Sequence, residues 1–112
     1  MIHVLSRPAS ESEIADMMEA LGTYIKLAVD IRKDVLAGGG EMHADCESVL
    51  LDNGTCQEDV WGADWFPESQ GIRYESLINI RPKQGNRGLA IQDEDVRNKV
   101  DAVIMRVFGG SR

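Results

Sequence analysis

Between residues 34 and 72 the chain has no lysine and no arginine, yet it carries nine carboxylates there: Asp34, Glu41, Asp45, Glu47, Asp52, Glu58, Asp59, Asp64 and Glu68. Both cysteines, both tryptophans and one of the two histidines lie in the same stretch. The whole chain carries −7, so the remaining residues, with 12 cations against ten carboxylates, sum to +2. A fold that takes in this segment must bring cations to it from elsewhere, leave its acids in water, or recruit a metal or a partner. Site chemistry is expected here.

With 112 residues there is room for one domain, residues 1–112, and one core. No run approaches the ~20 apolar residues that span a bilayer. The first residues lack a basic region followed by an apolar run, so they do not read as a signal peptide. A cytoplasmic protein is expected, with no membrane partner. The negative balance argues against general nucleic-acid binding, which needs a cationic surface.

Residues 2–5 suit a short strand. Ser10-Glu-Ser-Glu13 reads as a capping box, and Ile14, Met17, Met18 and Leu21 follow at the spacing of one helix face, with Gly22 as the stop. Residues 24–32 alternate: Ile25, Leu27, Val29 and Ile31 on one side, Tyr24, Lys26, Ala28, Asp30 and Arg32 on the other. That is a half-buried strand. A turn at Lys33-Asp34 and a strand at 35–37 follow. Gly38-Gly39-Gly40 reads as a bulge or tight bend at a sheet edge. Residues 72–80 alternate again. Asp93 opens a last helix with Val96, Val100, Val103, Ile104, Val107 and Phe108 on one face, stopping at Gly109-Gly110. The expected fold is α+β: a single antiparallel, mostly hairpin-connected sheet with two helices on one face.

Asn53-Gly54 is a strong short hairpin signal, because both residues tolerate positive φ. Residues 42–52 and 55–65 would then pair. Met42, Ala44, Cys46, Leu50, Trp61, Ala63 and Trp65 would make a core face, and His43 would oppose Asp64 on the other, with Asp45 and Glu47 nearby. Cys46 and Cys56 would fall on opposite faces. A bulged register puts them on one face but four residues apart, at ~3.3 Å each, beyond the ~7 Å a disulfide spans. Reduced thiols are expected.

On that hairpin His43, Asp45, Glu47 and Asp64 could hold a divalent cation, and His43 with Asp64 could act as an acid–base pair. The ordinary reading is a hydrated acidic edge that discourages aggregation, with no cofactor. Cys46, among apolar and acidic neighbours, is not a candidate nucleophile. The other sheet face would present Lys26, Asp30, Arg73, Glu75, Asn79 and Arg81. A basic loop, Arg81 to Gly88 with Lys83 and Arg87, could take a small anion or pair with the acidic hairpin, within one chain or across a dimer.

The segments Leu36-Ala-Gly-Gly-Gly-Glu-Met-His-Ala-Asp-Cys-Glu47, Gln57-Glu-Asp-Val-Trp-Gly-Ala-Asp-Trp65 and Glu75-Ser-Leu-Ile-Asn-Ile-Arg-Pro82 resemble a family of small uncharacterised prokaryotic proteins, a domain of unknown function common in cyanobacteria. The resemblance runs from Ile25 to the last helix. It implies no activity, substrate or site residue.

Two functions are therefore carried forward. One is a small cytoplasmic binding protein, self-associating as a homo-oligomer through the acidic hairpin and a binding surface of Arg73, Glu75, Asn79, Arg81, Lys83 and Arg87. The other is a metal-dependent or acid–base enzyme centred on His43 and its neighbouring carboxylates.

Overall fold

The computed structural model describes residues 1–109. Five strands form one antiparallel sheet: β1 (His3–Leu5), β2 (Ile25–Asp30), β3 (Val35–Gly40), β4 (Val60–Phe66) and β5 (Gly71–Arg73), in the spatial order β1-β3-β2-β4-β5. Three α-helices pack on it: α1 (Glu11–Met18), α2 (His43–Asp52) and α3 (Glu94–Ile104). The fold is α+β, as the alternation and helix stripes imply.

The alternation of β2 sorts the core. Ile25, Leu27 and Val29 join Leu36, Trp61, Ala63 and Trp65 on one face, where Met17 of α1 and Val100, Val103 and Ile104 of α3 cover them. The chain after α3 widens into a π-type turn, Met105–Gly109, that seats Phe108 flat on Trp65, with ring centroids 4.3 Å apart. The expected stop at Gly109 lies at the end of the described chain, and Gly110 lies outside the described residues. The capping box of α1 is present: Glu13 N–H donates to Ser10 Oγ at 3.1 Å, and Ser10 N–H to Glu13 Oε1 at 2.9 Å.

The glycine triplet lies inside β3, between β1 and β2 and not at an edge. A bulge is there, as expected: Leu27 opposes Gly38 while Lys26 opposes Gly40. Gly39 is the extra residue, at φ +104°, and a Cβ on it would meet the Met1 carbonyl oxygen at 2.4 Å. Only glycine combines that backbone with that approach.

The hairpin expected over 42–65 is not formed. Residues 43–52 are helix, and α2 covers the second sheet face through Cys46 and Leu50, which pack on Ala28, Ala37 and Val60. Asn53-Gly54 does supply positive φ, at Gly54 (+92°), but as a helix terminus. Gly54 N–H donates to Leu51 O and Thr55 N–H to Leu50 O, both at 3.1 Å, the paired bonds of a Schellman ending. A third helix therefore joins the two expected, on the opposite face. Met42, expected in the core, is 54% exposed.

The strand expected over 72–80 pairs only as far as Arg73. Beyond it the chain leaves the ladder, makes 3₁₀ turns at Leu77–Asn79 and Pro82–Gln84, and folds over the α2 side of β4. Asn79, placed on an outward polar face by the alternation, is completely buried. Its Oδ1 accepts from Gly62 N–H at 2.7 Å and its Nδ2 donates to Gly62 O at 3.0 Å, so one amide side chain takes the part of a neighbouring strand. Gly62 admits this approach, since a Cβ there would lie 2.5 Å from the Ser76 Cβ.

Candidate functional site

Three of the nine carboxylates in the cation-free segment are paired with arginines from outside it. Arg32 reaches Asp59 (Nε to Oδ2, 3.0 Å), Arg73 reaches Asp64 (Nε to Oδ2, 2.9 Å) and Arg81 reaches Glu47 (Nη2 to Oε2, 3.3 Å). Each arginine comes from sequence flanking the segment, and the pairing is within one chain.

Arg81 is largely covered and held from several sides. Its side chain is 10% exposed; Nε donates to Ile78 O, Nη1 to Gln57 O, and the guanidinium lies 5.1 Å from the centre of the Trp61 ring. Burial pushes its pKa down and Glu47 opposes that. The interaction ties α2 to the 3₁₀ turns at Gln57–Asp59 and Leu77–Asn79. Of the expected binding surface, Asn79 is buried, and Arg81 is largely covered but lines a cavity of about 500 Å³ with Lys83. Glu75, Lys83 and Arg87 are exposed and form no ion pair among the described residues.

His43 and Asp64 do meet, though α2 and not a hairpin strand brings them together. His43 is the first residue of α2, and Asp64 points from β4 to the same side of the sheet. His43 Nε2 lies 2.7 Å from Asp64 Oδ1 and 3.1 Å from Ala63 O. Both neighbours are acceptors, so Nε2 carries a proton, and in the neutral tautomer this selects the lone pair lies on Nδ1. Nδ1 has no hydrogen-bond partner among the described residues and is open to solvent. Asp64 is 1% exposed, and its second oxygen is held by Arg73, whose pKa that bond raises. Arg73 in turn rests over the rings of Tyr24 and Phe66. The result is a chain of fixed groups, arginine to carboxylate to imidazole, ending in one free basic nitrogen.

A cavity of about 180 Å³ adjoins this end, lined by Lys26, Met42, His43, Ala44, Ser76, Leu77 and Ile78. Lys26 Nζ donates to Glu41 O at 3.1 Å on its rim. Sequence reasoning missed the walls. Met42 was assigned to the core, and Ser76, Leu77 and Ile78 to a strand that ends sooner.

The four candidate ligands His43, Asp45, Glu47 and Asp64 are not brought together as a metal-binding group. On a helix Asp45 projects away from the face shared by His43 and Glu47, and Glu47 is taken by Arg81. Among the described residues no group of three or more His, Cys, Asp or Glu side chains is placed to hold a metal ion. Cys46 and Cys56 are both free; Cys46 is buried, and burial pushes its thiol up to about 11, which excludes it as a nucleophile near neutrality.

Among the described residues no helix is long and apolar enough to cross a membrane. The family model "Protein of unknown function (DUF5674)" matches residues 3–107, and the chain belongs to that family. No curated protein and no solved structure matches it.

Proposed function

We propose that this chain binds a small molecule in the cavity beside His43, and that His43 Nδ1 is the group that hydrogen-bonds it and exchanges a proton with it. One observation carries the reading. A buried carboxylate has both oxygens engaged, and the imidazole it orients lines a cavity and has no hydrogen-bond partner for its other nitrogen among the described residues. This is the second and third part of an acid–base constellation: the base, and the group that fixes its tautomer. The walls are mostly apolar, with Lys26 as the cation. They suit a small, largely apolar molecule with a single acidic group, which donates to Nδ1 and whose anion Lys26 stabilises. Phenol is the probe. It is expected to shift the His43 ring nitrogen resonances saturably, and His43→Ala to abolish binding. Binding that survives His43→Ala, or no shift with phenol, would overturn the reading.

A second reading rests on a separate observation. Met42 and Leu77, which both line the cavity beside His43, are 54% and 72% exposed. Contiguous exposed apolar residues mark contact surfaces, and self-association would bury these. Arg73 and Arg81 are already paired, so such a dimer rests on apolar contact, not on charge. Its mass in solution is expected to stay dimeric from low to high salt, and Leu77→Lys to leave a monomer. A parent protein that is monomeric at both salt concentrations would exclude it. Both thiols being free fits a reducing, cytoplasmic setting.

A further inference from the structure

We propose that Arg73, Arg97 and Glu75 form a binding site for a small zwitterion, an α-amino acid. The three line a shallow depression of about 300 Å³ with Ile72, Tyr74 and Ala90. Its volume is at the lower end of ligand sites, which calls for a small ligand. It shares no lining residue with the cavity at His43; Arg73 also holds Asp64, so the variants that separate the two proposals are at Glu75 and Arg97.

The two guanidiniums are held in an unusual and similar way. Arg73 is fixed through Nε, which donates to Asp64 Oδ2, and lies 5.4 Å and 5.1 Å from the ring centres of Tyr24 and Phe66. Arg97 is fixed through Nε, which donates to Ile91 O, and lies 4.8 Å from the centre of the Tyr74 ring. In each case the stem and one edge are committed and the planar group is stacked. The Nη groups of both make no hydrogen bond among the described residues. Side-chain freedom is thus already lost, while the donors that suit a carboxylate remain available.

The floor under them is fixed too. Residues 75 and 90 form an antiparallel bridge, flanked by Ser76 N–H to Leu89 O at 3.1 Å and Ile91 N–H to Tyr74 O at 3.0 Å. That bridge sets Glu75 in the same depression as the two arginines. Its carboxylate is exposed and forms no ion pair among the described residues. Asp64 and Asp101, the other acids close by, are engaged by Arg73 and by the Tyr74 hydroxyl.

This charge pattern selects the ligand. A plain anion would gain from the two guanidiniums and be repelled by Glu75, and a plain cation would meet the reverse. A molecule with a carboxylate at one end and an ammonium at the other satisfies both, and an α-amino acid carries the two groups at the shortest spacing. Complementarity of this kind gives selectivity even where affinity is modest.

Calorimetric titration with glycine, acetate, methylammonium and inorganic phosphate tests it, alongside the Arg Nε resonances in ¹⁵N spectra. Glycine is expected to bind saturably and tighter than the other three, shifting the signals of Arg73 and Arg97. Glu75→Gln changes an exposed side chain and leaves the fold intact. It is expected to weaken glycine about tenfold and to erase its advantage over acetate, the effect of one charge-assisted hydrogen bond. Arg97→Lys is expected to weaken glycine and acetate together. Acetate or phosphate binding as tightly as glycine would overturn the proposal in favour of a simple anion site. So would glycine binding that is unchanged in Glu75→Gln, or the absence of saturable glycine binding in the parent.

Discussion

Asn79→Ala is expected to lower the stability of this protein by about 3–5 kcal/mol, read as an earlier urea midpoint with little change in slope. The side chain is completely buried, and its amide does the work of four backbone partners. Oδ1 accepts from Gly62 N–H; Nδ2 donates to Gly62 O, Tyr74 O and Leu89 O at 3.0, 3.2 and 3.1 Å. Alanine would leave the Gly62 N–H without an acceptor in a buried strand, and each such orphaned group costs roughly 1–3 kcal/mol. Water cannot replace the amide cheaply, because the Ser76 side chain already approaches Gly62 closely. Asn79→Asp should be at least as damaging, since its carboxylate would face the carbonyls that Nδ2 now serves. Asn98→Ala, on the exposed side of α3, is the control and should stay within about 0.5 kcal/mol. A loss below about 1 kcal/mol for Asn79→Ala would mean that the 74–92 segment is held by something other than this amide.

Asn79 also shows why the second half of the chain was hard to read. Residues 72–80 alternate as a strand does, and Ile72 and Arg73 do pair with β4. After that the pairing is made by a side chain, and nothing in an alternation distinguishes an amide facing solvent from one facing a glycine backbone. Asn86 repeats the device at close range. Its Nδ2 donates to Asn79 O, Gly88 O and Ala90 O, and its Oδ1 accepts from Gln92 N–H. Two buried asparagines thus organise a segment with almost no ladder of its own.

The helix α2 was hidden for a different reason. Its inward stripe is His43, Cys46, Glu47 and Leu50, at i, i+3, i+4 and i+7, the spacing a buried helix face requires. Two of the four are polar, so the stripe does not stand out as apolar. They are polar because each meets a partner: His43 meets Asp64, and Glu47 meets Arg81. The residues that obscured the helix are those that tie it down. The faces that are purely apolar, those of α1 and α3 and the side of β2 that carries Ile25, Leu27 and Val29, are legible from spacing alone. Asn53-Gly54 misled for a related reason. The positive φ it signals serves a helix end as well as a hairpin, and only the stripe before it separates the two.

The contact between His43 and Asp64 was anticipated on the wrong scaffold, so its energetics need a test that does not depend on the route to it. Asp64→Ala is expected to cost about 3–5 kcal/mol, through the loss of a buried carboxylate's hydrogen bonds to the His43 ring and to the Arg73 guanidinium. The carboxylate is 1% exposed, and its loss strips a partner from both His43 Nε2–H and Arg73 Nε–H. Arg73, at 47% exposed, can turn to water, whereas His43, at 11%, cannot do so freely. Most of the cost therefore belongs to the imidazole side. That is checkable by a double-mutant cycle. His43→Ala and Asp64→Ala should couple by about 1–3 kcal/mol, and Arg73→Met with Asp64→Ala by less. Asp64→Asn sharpens the point. Its amide can offer an oxygen to His43 or to Arg73 but must turn an N–H₂ toward the other, which is itself a donor. If the oxygen goes to Arg73, His43 must lose the proton at Nε2 to accept from the amide, and Nδ1 then carries it. The site would keep its shape but present a donor where it now presents an acceptor. Phenol could then no longer donate to Nδ1 and would have to accept from it, so its binding should change in Asp64→Asn even where stability is largely recovered, and ¹⁵N spectra of the ring should report the changed tautomer. Coupling below about 0.5 kcal/mol between His43 and Asp64 would reduce the pair to neighbours and remove the orienting role on which the proposed site depends.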